Sequence, residues 1–152
     1  MSDTLQLEPS PIAFANAGPQ TRLAADLRAA GLRPTRQRVA LAAILFGSGH
    51  RHIAAEELHE EAVAADVPVS LATIYNTLHQ FTDAGLLRQV AVEGARTYFD
   101  TNVSDHHHFF VEGENRLIDV ESRIDIHNVP APPPGMELAS VEVIVRVRRK
   151  PA

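Results

Sequence analysis

Cysteine and tryptophan are absent from the 152 residues, and aromatic side chains make up only 5% of them. Without thiols there can be no disulfide, no thiolate zinc site, no iron–sulfur cluster and no cysteine nucleophile. Any bound metal must therefore be held by His, Asp and Glu. No run of about 18 apolar residues occurs, which predicts no membrane span. Nor does a basic stretch lead into an apolar core at the N-terminus, which predicts no signal peptide and a cytoplasmic protein. The formal net charge of −5 argues against a nucleic-acid surface spread over the whole molecule.

That average conceals a local pattern. Residues 22–51 hold Arg22, Arg28, Arg33, Arg36, Arg38 and Arg51 against Asp26, whereas residues 52–69 hold Glu56, Glu57, Glu60, Glu61 and Asp66 with no Lys or Arg. Basic charge is thus gathered near the start. Residues 1–20 carry little periodic pattern and read as a mobile tail. A short helix is expected over Thr21–Ala30 with Gly31 as its stop, then one from the Thr35 cap to about Phe46. Arg36 and Arg38 stand at the start of this second helix, where the dipole disfavours cations unless an anion such as a phosphate joins them.

A third helix is expected over Ile53–Ala65, and a fourth, capped by Ser70, over Leu71–Ala84. The fourth has Leu71, Ile74, Leu78 and Phe81 on its buried stripe. Its other face offers Ala72, Thr73, Asn76, His79 and Gln80 with Tyr75 at the edge, and no carboxylate until Asp83. A polar face free of negative charge suits a DNA major groove. Strands over Leu86–Val92 and Ala95–Asp100, about Glu93-Gly94, complete a winged helix-turn-helix.

The stretch most suggestive of chemistry is Asp100-Thr101-Asn102-Val103-Ser104-Asp105-His106-His107-His108. In an extended chain His106 and His108 share a face and His107 points the other way. Asp100 lies upstream, Asp119 downstream and His52 far earlier. Three His and two Asp suit Fe²⁺ or Mn²⁺ better than a structural zinc. Beyond the histidines, Phe109–Val111 and Leu117–Val120 read as strands, Ile124–Ile126 as a further short one, and Pro130–Pro134 as an extended connector. Val141, Val143, Val145 and Val147 alternate with polar and other residues as a strand with one apolar face. A unit this small does not bury enough surface alone, so a homodimer joined through the valine face is expected.

The expected layout is α+β: a tail over 1–20, a winged helix-turn-helix DNA-binding domain over 21–100, a hinge over 101–105, and a small α/β or mostly β dimerisation and sensing domain over 106–150. With this order, the chain resembles the ferric uptake regulator family over roughly Leu23–Val147. The likeness is carried by Gly31-Leu32-Arg33-Pro34-Thr35-Arg36-Gln37-Arg38, by His52-Ile53-Ala54-Ala55-Glu56-Glu57-Leu58, by Leu71-Ala72-Thr73-Ile74-Tyr75-Asn76-Thr77-Leu78, and by Asp100 with the triple histidine. Within the family it is most similar to the haem-sensing iron response regulators of alpha-proteobacteria.

The resemblance implies a regulatory metal site at His52, Asp100, His106, His108 and Asp119, filled by Fe²⁺ or Mn²⁺, or by Zn²⁺ in vitro. It also implies groove reading by Tyr75, a minor-groove contact from Arg33 and a backbone contact from Arg38. With Arg36, Ser70, Thr73 and Asn76 these make up the expected DNA surface. Departures are as informative. Val111 and Glu114 stand where the family's first cysteine pair would be, so no cysteine-ligated structural zinc is expected. Asn76 replaces an arginine that often follows the tyrosine, and Pro130–Pro134 replaces a long helix.

The resemblance thus implies a non-enzymatic, dimeric transcription regulator of iron homeostasis, bound to double-stranded operator DNA under iron limitation and released by haem. The haem site would lie among His106, His107 and His108. Two histidines on one strand face cannot take both axial positions of one haem, so one of the triplet would pair with a remote residue such as His52 or His127. The alternative within the family is an Fe²⁺- or Mn²⁺-activated repressor that needs metal to bind DNA. A mononuclear iron enzyme and a metal or haem store are rivals from other classes.

Overall fold

The computed structural model describes residues 20–152. The tail expected over 1–20 lies, Gln20 aside, outside the described residues. In chain order the elements are α1 (Gln20–Ala29), α2 (Arg36–Phe46), β1 (His52–Ile53), α3 (Ala55–Ala64), α4 (Leu71–Asp83), β2 (Arg88–Val90), β3 (Tyr98–Asp100), β4 (His108–Val111), β5 (Arg116–Asp119) and β6 (Ile144–Val147). The chain divides into two compact units between Val103 and Ser104.

In the first unit local signals set the helix ends. Arg38 N donates to Thr35 Oγ1 at 3.2 Å, and Thr73 N donates to Ser70 Oγ at 3.1 Å, so both expected caps form. Gly31, at φ +82°, turns the chain out of α1 while Leu32 N donates to Leu27 O at 2.9 Å. That is the left-handed helix stop for which glycine is best suited. The third helix starts later than expected. Ile53 belongs to β1, paired with Phe99 of β3, and is fully buried. A β-branched side chain at a sheet position won over the helical period.

The buried side of α4 is Ile74, Thr77, Leu78 and Phe81. Leu71, expected in that stripe, is 37% exposed at the helix start. Thr77 takes the buried place instead, its hydroxyl satisfied by donation to Thr73 O at 2.8 Å. The Phe46 and Phe81 rings stack with centroids 6.4 Å apart at the centre of the core. Strands order β1-β3-β2, all antiparallel, and every residue of the middle strand β3 is buried. The hairpin strands β2 and β3 are shorter than expected.

The second unit holds three short strands joined by irregular segments, with no helix among the described residues. Its sheet orders β5-β4-β6: β4 and β5 are antiparallel, β4 and β6 parallel. The strand expected over Ile124–Ile126 does not form, and the proline stretch carries no helix, as expected. Only Ile144–Val147 of the valine alternation becomes strand, because β6 pairs with the four residues of β4 and has no partner beyond them. Val141 is left 37% exposed. Where the family's cysteines are missing, Arg149 donates to both oxygens of Glu114 at 2.8 and 3.0 Å, tying the β4–β5 turn to the segment after β6. The Arg149 hydrogen bond holds the Glu114 carboxyl below its ordinary range.

Candidate metal centre and nucleic-acid interface

The donors come in two groups, one in each unit. In the second unit His108 opens β4 opposite Asp119, the last residue of β5, so strand register sets them side by side. His106 precedes the strand, yet its ring lies 4.5 Å from that of His108, centroid to centroid. One carboxylate oxygen, Asp119 Oδ1, is 3.2 Å from His106 Nε2 and 3.4 Å from His108 Nε2. His107 faces elsewhere, its Nδ1 accepting from Val143 N at 3.1 Å.

The tautomer of His106 is fixed by its other nitrogen. Nδ1 lies 2.6 Å from Ser104 O, and a carbonyl can only accept, so Nδ1 carries the proton. In the neutral ring Nε2 is then a lone pair, and it faces a carboxylate. Unless the ring also takes a proton at Nε2, two acceptors in that position need a cation between or beside them. A ring held by Nδ1–H donation to a carbonyl, with Nε2 turned inward, is the usual preparation of a metal-binding histidine.

Spacing agrees with this. Donors of an ion with bonds of about 2.1 Å at tetrahedral to octahedral angles sit roughly 3.0–3.4 Å apart, which is the range found around Asp119 Oδ1.

In the first unit His52 and Asp100 are register partners across β1 and β3. His52 Nε2 is 3.1 Å from Asp100 Oδ2, and Asp100 is only 1% exposed. Its second oxygen, Oδ1, accepts from Asn102 N at 2.8 Å. A carboxylate buried to that degree needs positive charge or several donors. Both groups fit a divalent cation by donor chemistry: imidazole nitrogen and carboxylate oxygen, with no sulfur, suits Fe²⁺, Mn²⁺ or Zn²⁺. His127, the other remote histidine considered for haem, is exposed on the coil between β5 and β6.

The expected nucleic-acid residues lie in the first unit. Ala72, Tyr75, Asn76, His79 and Gln80 are exposed along one side of α4, Thr73 is half-buried beside its cap, and Ser70, Arg33 and Arg36 are exposed. Arg38 is held in place: its guanidinium donates to Arg33 O and to Gln80 Oε1, both at 2.9 Å, which ties α2 to the open side of α4. Arg51 is spent differently, on a bidentate pair with Glu61 at 2.8 and 2.7 Å, so the basic segment is smaller than its arginine count.

The face is also less free of carboxylate than the sequence of α4 implies. Tyr75 Oη donates to Glu56 Oε1 of α3 at 2.6 Å. That bond holds Glu56 below, and Tyr75 above, their ordinary values. No local pattern announces a contact across 19 residues.

A family model described as the ferric uptake regulator family matches residues 29–145. The chain belongs to the ferric uptake regulator family. Among curated proteins, the peroxide-responsive repressor PerR of Staphylococcus aureus strain Mu50 is 37% identical over 98 residues, which is 64% of this chain and 65% of that relative's length. The chain thus spans just under two thirds of the curated relatives it matches. Among solved structures, the ferric uptake regulator of Pseudomonas aeruginosa with manganese is 27% identical at a TM-score of 0.63, covering 84% of this chain and 97% of that one.

The Vibrio cholerae ferric uptake regulator, at 21% identity, shares the fold with a TM-score of 0.67 over 84% of this chain and 99% of that one. The ferric uptake regulator family is one of regulators, and the iron-enzyme reading lapses with membership in it. Among the described residues no helix is long and apolar enough to cross a membrane.

Proposed function

We propose that this family member is a divalent-metal-responsive transcription regulator that binds operator DNA as a homodimer in the cytoplasm. The observation that carries it is His106: with Nδ1 committed to Ser104 O, its Nε2 and that of the adjacent His108 converge on one Asp119 oxygen. Such a group is built for a cation. The residues that would hold divalent metal are His106, His108 and Asp119 in the second unit, and His52 and Asp100 in the first. Only residues 101–105 separate Asp100 from His106 in the chain. The ion supplies positive charge that neutralises the carboxylates, and the protein supplies their orientation.

DNA contact falls to Arg33, Arg36 and Arg38 for backbone and minor groove, and to Ser70, Thr73, Tyr75 and Asn76 at and along α4. A helix whose exposed side chains are polar, flanked by a tethered arginine, supports major-groove docking. Dimerisation is supported by apolar side chains left on the surface of the second unit, with Met136 68% and Leu138 58% exposed. Met136 and Leu138 lie in the β5–β6 connector, and Val141 of the valine alternation is exposed beside them in sequence at 37%.

A second reading, release from DNA by haem, is favoured by the third histidine and the missing cysteines. His107 is turned away from Asp119 and adds an imidazole to the same short stretch. Because the His106 and His108 rings lie side by side, a haem would take one ligand from the triplet and another from elsewhere, such as His52 or His127.

The deciding experiment is operator binding by the purified dimer, titrated separately with Mn²⁺, Fe²⁺ and haem. Tightening by Mn²⁺ or Fe²⁺ supports the metal-activated repressor. Release by haem, lost in His106→Ala/His107→Ala/His108→Ala, supports the second reading. Binding indifferent to all three sinks both.

A further inference from the structure

Glu56 has no place in the metal group and lies outside α4, yet it holds the aromatic side chain of that helix's open side. Tyr75 Oη and Glu56 Oε1 are 2.6 Å apart, within the short range of an O–H donated to an ionised carboxylate. The electrostatics of the pair agree on where the proton sits. The hydrogen bond depresses Glu56 and raises Tyr75, so around neutral pH the carboxylate is charged and the phenol keeps its proton. The neighbouring acid, Glu57, is paired with Arg96 at 3.7 Å and does not compete for the phenol.

A phenol has one proton to donate. With that proton given to Glu56, Tyr75 can meet a third group only through its oxygen lone pairs or its ring. In the major groove adenine N6 and cytosine N4 are donors, whereas guanine presents only the acceptors O6 and N7. Thymine is intermediate, since O4 accepts while its methyl suits a ring.

Resting on the DNA-binding reading above, we infer that Glu56 is a specificity-determining positioning residue. By taking Tyr75's only proton, it makes Tyr75 an acceptor toward DNA. The base beneath Tyr75 is thereby biased toward adenine or cytosine and against guanine. The tether also restricts the ring's rotation, so less conformational freedom is lost on binding. A negative charge beside DNA repels phosphate, which makes a carboxylate here costly unless it orients something.

The test is selection of operators from random duplexes by the full-length protein with excess Mn²⁺, comparing wild type with Glu56→Ala, Glu56→Gln and Tyr75→Phe. Wild type is expected to discriminate against guanine at one position of each half-site by roughly fivefold or more, the lower end of a single base contact. Glu56→Ala frees the phenol proton and should reduce that bias below about twofold. Glu56→Gln keeps an accepting oxygen and should retain the bias, and Tyr75→Phe should lose it.

A Glu56→Ala profile identical to wild type overturns the inference while the DNA-binding reading stands. Should Glu56→Ala fail to fold, Tyr75→Phe, which removes only an exposed hydroxyl, carries the test. Guanine discrimination unchanged in that variant also overturns the inference. If wild type enriches no sequence, the DNA-binding reading falls first and this inference with it.

Discussion

Replacing Asp119 by alanine removes the one oxygen that both His106 and His108 approach, at 3.2 and 3.4 Å. The loss is measurable as a thermal shift. An ion that binds only the folded state stabilises it by RT ln(1 + [ion]/Kd), about 2.7 kcal/mol at 100 times Kd. For a chain of 152 residues, 1 kcal/mol moves the melting point by roughly 2–4 °C. Saturating Mn²⁺ should therefore raise the wild-type midpoint by about 5–10 °C over the protein in a chelator. Substitutions of groups that merely orient metal ligands weaken binding by about 10–100-fold, so loss of a ligand should cost at least the upper figure. At the same ion concentration the stabilisation then falls to RT ln 2, about 0.4 kcal/mol, or some 1–2 °C. Differential scanning calorimetry with matched chelator controls reads both values. If Asp119→Ala keeps the full wild-type shift, the acceptor-against-acceptor argument for this site is wrong.

The same geometry sets other expectations. His52→Ala should lower the Mn²⁺-induced shift if one ion draws donors from both units; an undiminished shift confines the ion to His106, His108 and Asp119. His107→Ala, whose ring accepts from Val143 N, should leave the Mn²⁺ shift intact, and its loss in calorimetry would overturn the division of labour within the triplet. Phe81→Ala removes a fully buried ring stacked on Phe46 and should cost about 3–5 kcal/mol in chemical denaturation, with a value near 1 refuting its central place. Arg149→Ala should return Glu114 toward its ordinary carboxyl value in an NMR titration. The pair's contribution is present above the ordinary carboxyl range and is lost as pH falls through the depressed value, so acid should erase the difference between variant and wild type.

Much of the helical unit was legible because its signals are local. Thr35, Ser70 and Gly31 each mark a helix end by their own chemistry, and the caps and stop form as those residues dictate. The features that were not legible depended on tertiary pairing. Ile53 fits the helical period, but β3 offers it a buried sheet partner, and the first helical turn yields. Leu71 fits the apolar stripe, but it sits at the open start of α4, where little packs over it. The valine alternation is a sound strand signal, yet its length is decided by the four residues of β4 available to pair. At the metal group the alternation of His106, His107 and His108 is a property of extended chain and could be read directly. The roles of Ser104 O and Asn102 N could not, since any residue type supplies a backbone carbonyl or amide. The Glu56–Tyr75 bond was hidden for a related reason: it joins two helices whose separate patterns say nothing of each other.

Those backbone groups bear on how metal binding could reach DNA. Asp100 uses one oxygen toward His52 and the other to accept from Asn102 N. His106 turns one nitrogen toward Asp119 and with the other donates to Ser104 O. Thr101 is pinned as well: its N donates to Arg51 O at 3.0 Å, and its Oγ1 accepts from Arg51 N at 2.8 Å. So the connector between the two donor groups is hydrogen-bonded, through its own backbone, to a proposed ligand at either end. Residues 101–105 can span at most about 17 Å even fully extended. On the proposed reading, a ligand cannot reorient without breaking a bond to the connector, and the connector cannot move without disturbing a ligand. On that reading the coupling needs no long relay, because an ion held by either donor group would bias the conformations of the 101–105 backbone bonded to it.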